Sequence, residues 1–188
     1  MGIKTIGIAL LGLSLAVGCS AVSADRAAWE SKQGGILHDP ARQERVDSIA
    51  HRLVIGHPEL PTTVHILNSD AVCAYGLPDG TLFVTRGLLD RADDDVIAAA
   101  LAHEMGHLLG DGHVRPVVSL KGCNEDLGAE GRADAYGVEL LHLEHLPSES
   151  MVRMLRIVRD SNSLSPACVR AMDQRIDWLS SRPSMQIH

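Results

Sequence analysis

Aromatic side chains are nearly missing from this sequence: Phe, Tyr and Trp make up 3% of 188 residues, although apolar residues of all kinds reach 45%. A core must therefore be assembled from Ala, Leu, Val and Ile, which favours closely packed helices over an aromatic-rich β-sandwich. Positive charge is also in short supply. With 17 Lys and Arg against 24 Asp and Glu, the formal net charge is -7. No basic cluster offsets it, which argues against nucleic acid as a partner and makes other polyanions poor candidates. Beyond the N-terminus, no apolar run is long enough to span a bilayer.

The N-terminus itself carries Lys4 followed by an apolar run from Ile6 to Val17. That run is short for a membrane span and suits a signal peptide, here assigned to residues 1–18. Ala16-Val17-Gly18-Cys19 resembles a bacterial lipobox, while Val22-Ser23-Ala24 offers an ordinary signal-peptidase site. The lipobox is preferred because small Gly18 directly precedes Cys19. The expectation is a periplasmic lipoprotein of the bacterial cell envelope, held on the membrane surface by lipidated Cys19. Residues 19–35 read as a tether and 36–188 as one domain. Without Cys19, Cys73, Cys123 and Cys168 remain, an odd number in an oxidising compartment. Cys123 and Cys168 both sit in loop-like sequence and are the expected disulfide.

Along the domain, Asp39-Pro40 forms a helix start, and Val46, Ile49, Ala50 and Leu53 recur at helical spacing. Thr62 to Leu67, Ala71 to Leu77 and Leu82 to Thr85 read as strands, with a turn at Pro78-Asp79-Gly80. Helical patterns follow over Asp93 to His107, Glu125 to Leu143, Ser148 to Arg159 and Ala167 to Leu179. The expected class is α+β: a helix-rich domain with a small antiparallel sheet packed on the helix that starts at Asp93, a helix whose His103-Glu104-Met105-Gly106-His107 makes the domain zincin-like.

That helix runs into His103-Glu104-Met105-Gly106-His107. Residues four apart share a helix face, so His103 and His107 can hold one metal ion with Glu104 beside it. The residue types point to one zinc ion per chain and to peptide hydrolysis, with Glu104 as the base that deprotonates a water. Ala98, Ala99, Leu101, Ala102, Met105 and Leu108 make the helix apolar nearly all round. Buried His and Glu then need partners or a metal.

Two residues compete for third ligand. Glu130 lies in Glu130-Gly131-Arg132-Ala133-Asp134, where Glu130 and Asp134 share a face; Asp134 would accept a hydrogen bond from a ligating histidine. The small residues Ala129, Gly131, Ala133 and Gly137 would let this helix come close to the first. His113 completes HExxHxxGxxH, a metzincin string. Glu130 ranks first, because a metzincin leaves Glu130 and Asp134 without a role and needs a Met-turn, whereas Met151 and Met154 fall in a helical pattern.

From Cys73 to Asp134 the sequence resembles the gluzincin family of HtpX-like peptidases, CAAX prenyl endopeptidases and small secreted, often lipoprotein, bacterial relatives. The likeness rests on HEMGH, on Ala74 to Gly80, on Leu82 to Leu89 and on the Glu130/Asp134 pair; Ser165-Pro166 followed by Arg175-Ile176 is similar to a looser family pattern. Cys73, Asp79 and Ser165 depart from the family's usual Asn, Gly and His. The resemblance implies zinc ligation by His103, His107 and Glu130, with Glu104 as base and protein or peptide substrates, here misfolded or extended envelope proteins. Arg175 is a candidate for orienting the site or stabilising an oxyanion, against an ordinary surface salt bridge. Cys73 could ligate zinc or simply pack. A catalytically silent, chaperone-like metal-binding lipoprotein is the other class of reading, and Glu104 argues against it, since binding alone needs no carboxylate beside the metal.

Overall fold

The computed structural model describes residues 26–60, 62–77, 79–111 and 127–181. A helical segment over residues 26–32 (α1) leads to α2 (Pro40–Leu53), β1 (Val64–Leu67), β2 (Ala74–Gly76), β3 (Leu82–Thr85) and the short α3 (Arg86–Leu89). Four longer helices complete the order: α4 (Asp94–Asp111), α5 (Leu127–Leu143), α6 (Glu149–Ser161) and α7 (Pro166–Ser180). The fold is mostly helical with a small three-stranded sheet packed against the main helices, which is the α+β class expected.

Local chemistry explains the boundaries. Asp39 caps α2 by accepting from the Arg42 amide, with Pro40 in the first turn. Asp93 does the same for α4 through the Val96 amide, and Ser165 for α7 through that of Cys168. α2 turns Val46, Ile49, Ala50 and Leu53 inward. Leu82 and Val84 of β3 meet that helical core, while Phe83 points to the other side of the sheet, where it packs with Leu67, Cys73 and Tyr75. All four residues of β3 are buried, which fits its central place in the order β1-β3-β2.

One pairing corrects the all-antiparallel expectation. β2 and β3 form an antiparallel hairpin, but β1 pairs parallel to β3, with Val64 opposite Leu82 and Leu67 opposite Thr85. The chain reverses after β1 and again at the turn where Gly80 takes a φ of 84°. Two reversals bring β3 back in the direction of β1, and its apolar faces fill the middle position. A second difference concerns the stretch read as a tether. Trp29 of α1 sits edge-on to Tyr75 and Phe83, at ring-centroid distances of 5.5 and 5.1 Å, and the Arg26 guanidinium lies 5.4 Å from the Phe83 ring. The packed structure thus takes in residues ahead of 36, and three of the chain's few aromatic side chains cover the outer face of the sheet.

The C-terminal hairpin of α6 and α7 is tied back to the sheet by Asn162. Its side-chain amide donates to the Val72 carbonyl, and its oxygen accepts from the Val72 amide, just ahead of β2. Cys168 is disulfide-bonded and Cys73 is free; Cys123, the expected partner, lies outside the described residues, as do residues 1–25 with Cys19. Among the described residues, no helix is long and apolar enough to cross a membrane.

Candidate metal centre

α4 passes through the middle of the core, and Val96 to Ala102 are buried with Met105. The helix therefore delivers His103 into a nearly closed site, 7% exposed. One turn later the His107 ring meets the His103 ring edge-on, 4.8 Å between centroids. Glu104 turns toward the sheet and lies beside Gly76 of the edge strand β2: a Cβ there would be in ordinary contact with Glu104 Oε2, at 3.4 Å.

α5 brings the remaining groups, and it reaches them because two glycines let the helices touch. A Cβ on Gly106 would meet the Ala133 carbonyl oxygen at 2.4 Å; one on Gly137 would meet Met151 Cε at 2.6 Å and the α4 backbone at Ala102 and His103 at 3.1 Å. Close backbone approach of this kind requires glycine. It places Glu130 Oε2 3.4 Å from His103 Nε2 and Glu130 Oε1 3.6 Å from His107 Nε2. Asp134, fully buried, stands behind the first histidine with Oδ1 2.9 Å from Nδ1. The imidazole Nδ1–H donates to that carboxylate, which fixes the tautomer and leaves Nε2 free to ligate.

Arg175 of α7 closes the cluster. Its Nε and Nη2 donate to the two Asp134 oxygens, each at 2.7 Å, and Nη1 lies 2.8 Å from Glu130 Oε2. Charges decide the titration of these groups. Burial opposes ionisation of Glu130, yet His103 and Arg175 outweigh it and hold the carboxyl down at about 2. Burial likewise opposes ionisation of Asp134, and hydrogen bonds from Arg175 and His103 override it, well below the usual carboxylate range. Burial disfavours a charged His103, but Asp134 and Glu130 raise its pKa; His107 is lowered, by burial and by His103.

The donor set fits zinc. A tetrahedral ion about 2.0–2.1 Å from its donors holds them about 3.4 Å apart. The imidazole–carboxylate separations, one to each oxygen of Glu130, lie near that spacing, and a set of one donor atom from each of the three residues falls within 4.8 Å. With neutral imidazoles, the three carboxylates of Glu104, Glu130 and Asp134 face a single guanidinium. A divalent cation balances the excess negative charge.

The structure thus brings together His103, His107 and Glu130, with Glu104 beside them and Asp134 behind. His113 lies outside the described residues. Arg175, for which a surface salt bridge was the competing expectation, is buried against Glu130 and Asp134 of α5. Cys73 is not in the donor group; it packs with Tyr75, and burial pushes its thiol up to about 11. Gly106 escaped the sequence reading. Its signal was a glycine inside a strongly helix-forming run, a costly choice unless something must come close.

Residues 37–125 match the family model for Peptidase family M48, so this stretch is homologous to those peptidases. The chain is also similar to a protein named Protease HtpX homolog from Bordetella petrii, 31% identical over 108 residues, which cover 53% of this chain and 36% of that relative. It therefore spans about a third of that relative's length. The matched family segment includes HEMGH and the sheet but ends ahead of α5. For Glu130, Asp134 and Arg175 the case is geometric.

Proposed function

We propose that this protein is a zinc-dependent endopeptidase that cleaves misfolded or extended proteins of the bacterial cell envelope. The observation that carries the reading is the convergence of His103, His107 and Glu130, with Glu104 on the same helix turned toward the edge strand β2. His103, His107 and Glu130 would hold the ion. Zinc in such a set supplies Lewis acidity, polarising a carbonyl and easing the deprotonation of water. Glu104 takes the proton from the attacking water and passes it to the leaving amine. Asp134 keeps His103 in the tautomer that presents Nε2. An extended substrate would add to the open side of β2, so that main-chain hydrogen bonds hold it beside Glu104. Homology of residues 37–125 to M48 peptidases supports peptide bonds as the target.

The test is Glu104→Gln. Zinc stays bound and cleavage of casein or a denatured protein is lost; persisting cleavage refutes the assignment. Zinc binding by the parent chain without turnover would instead favour the chaperone-like, metal-binding alternative. Measuring zinc content in Glu130→Gln and His113→Ala separates the ligand sets, and loss only in His113→Ala would establish the metzincin arrangement. The envelope location and the lipid anchor on Cys19 rest on the lipobox-like Ala16 to Cys19. Metabolic fatty-acid labelling that Cys19→Ala does not abolish would rule the anchor out.

A further inference from the structure

We infer that Arg175 is the positioning residue of this centre: one guanidinium on α7 fixes Glu130 and Asp134 of α5, and so sets how tightly and in what geometry α4 and α5 hold the metal. The inference rests on the zinc-centre reading above. Its basis is the division of labour among the donors of one side chain. Nε and Nη2 form a two-pronged contact with Asp134, and Nη1 is left for Glu130 Oε2 at 2.8 Å. Glu130 and Asp134 lie one turn apart on the same helix face, and the planar fork spans them.

Two consequences follow for the ligands. Oε2 of Glu130 is held by the guanidinium, which leaves Oε1, the oxygen facing His107 Nε2 at 3.6 Å, as the freer of the two. Asp134, held from behind at both oxygens, is fixed in turn against His103 Nδ1. Arg175 therefore acts on His103 through Asp134 and on the third ligand directly, without being a ligand. Its side chain is 11% exposed and Asp134 is fully covered, so water does not compete for these bonds. A lysine keeps the charge but presents one compact ammonium, which cannot reproduce three donors aimed at two carboxylates. Ile176, the next residue, is buried in the core and docks α7 independently of these polar bonds.

The experiment compares the full chain with Arg175→Lys, Arg175→Gln and Ile176→Ala. Zinc affinity of the folded protein is measured by competition with a chelator of known affinity. Visible absorption of the cobalt-substituted protein reports coordination geometry. We expect both Arg175 variants to bind zinc 10- to 100-fold more weakly, the range for loss of a group that orients a ligand, and to shift the cobalt bands. Ile176→Ala should lower the unfolding temperature while zinc affinity stays within twofold and the cobalt spectrum is unchanged. If Arg175→Gln does not fold, Arg175→Lys carries the comparison. Folded Arg175 variants with parental affinity and spectrum would overturn the proposal. So would an Ile176→Ala variant that loses affinity equally, since docking of α7 alone would then explain the effect. Failure of the parent chain to bind one zinc would instead overturn the zinc-centre reading itself.

Discussion

Substituting Gly106 by alanine tests whether the centre depends on contact between α4 and α5. The added Cβ would stand 2.4 Å from the Ala133 carbonyl oxygen and 3.0 Å from its carbonyl carbon and Cα. Every one of these is backbone, so no side-chain tip can swing aside. Restoring ordinary contact moves the helices apart by about 1 Å. Overpacking of this kind costs about 1–3 kcal/mol, and alanine's better helix propensity returns about 1 kcal/mol. A net loss of up to about 2 kcal/mol follows, or a fall of up to about 8 °C in unfolding temperature for a chain of this size. The metal should feel it more. Ala133 adjoins Asp134 and follows Glu130 by about one turn, so the same shift pulls both carboxylates away from His103 and His107. Zinc affinity should fall at least about tenfold. The control is Gly131→Ala on α5, where a Cβ meets nothing within 4 Å; that variant should gain about 0.5–1 kcal/mol from helix propensity alone. Urea denaturation of the metal-free chains and chelator competition supply the two numbers. A Gly106→Ala protein as stable as the parent, with zinc affinity within twofold, would refute the close-approach reasoning.

Three further outcomes can be checked. Asn162→Ala removes a side chain that pairs with both the amide and the carbonyl of Val72; it should cost about 1–3 kcal/mol in denaturant unfolding, and a loss under about 0.5 kcal/mol would show the tie between the hairpin and the sheet to be incidental. Ser150→Ala removes a fully buried hydroxyl that lacks a hydrogen-bond partner, so thermal unfolding should show no loss and a gain of up to about 1 kcal/mol. The pH dependence has opposite signs with and without metal. In the metal-free chain, the His103 pKa is raised from 6.5 to about 10. Its contribution to stability is therefore full below 6.5 and is lost as pH rises toward 10. Zinc needs the imidazole deprotonated and binds better over the same window. The rise in unfolding temperature on adding zinc should thus grow from pH 6.5 to 9, and a constant rise would contradict the assigned electrostatics.

Much of the site could be read from the sequence because its parts obey short-range periodicity. His103 and His107, and likewise Glu130 and Asp134, are each four residues apart on one helix, and a helical pattern alone puts each pair on one face. The direction of β1 depends on how the chain returns between strands, which a four-residue run such as Val64 to Leu67 does not encode. The packing of α1 was illegible for a related reason: Ala27, Ala28 and Trp29 look unremarkable until Tyr75 and Phe83 come up beneath Trp29. Arg175 is the clearest case. An arginine 41 residues from Asp134 is indistinguishable from a surface ion-pair former until burial shows what it faces. Gly106 likewise gains meaning only once the facing helix is in place.

The order in which the centre is completed has a consequence for how such a protein is made. The histidines leave the ribosome first, the acidic pair about thirty residues later, and the guanidinium that locks them 41 residues after Asp134. Until the final helix has emerged and docked, a growing chain carries zinc-binding side chains but no fixed set of donors. On the reading proposed above, hydrolytic capacity would be withheld from every incomplete product of synthesis, and from any chain clipped ahead of Pro166. A chain ending before α7 should remain inactive toward casein even with zinc in excess. If the targets are the unfolded polypeptides proposed above, that delay protects the first such polypeptide the protein would meet, which is itself.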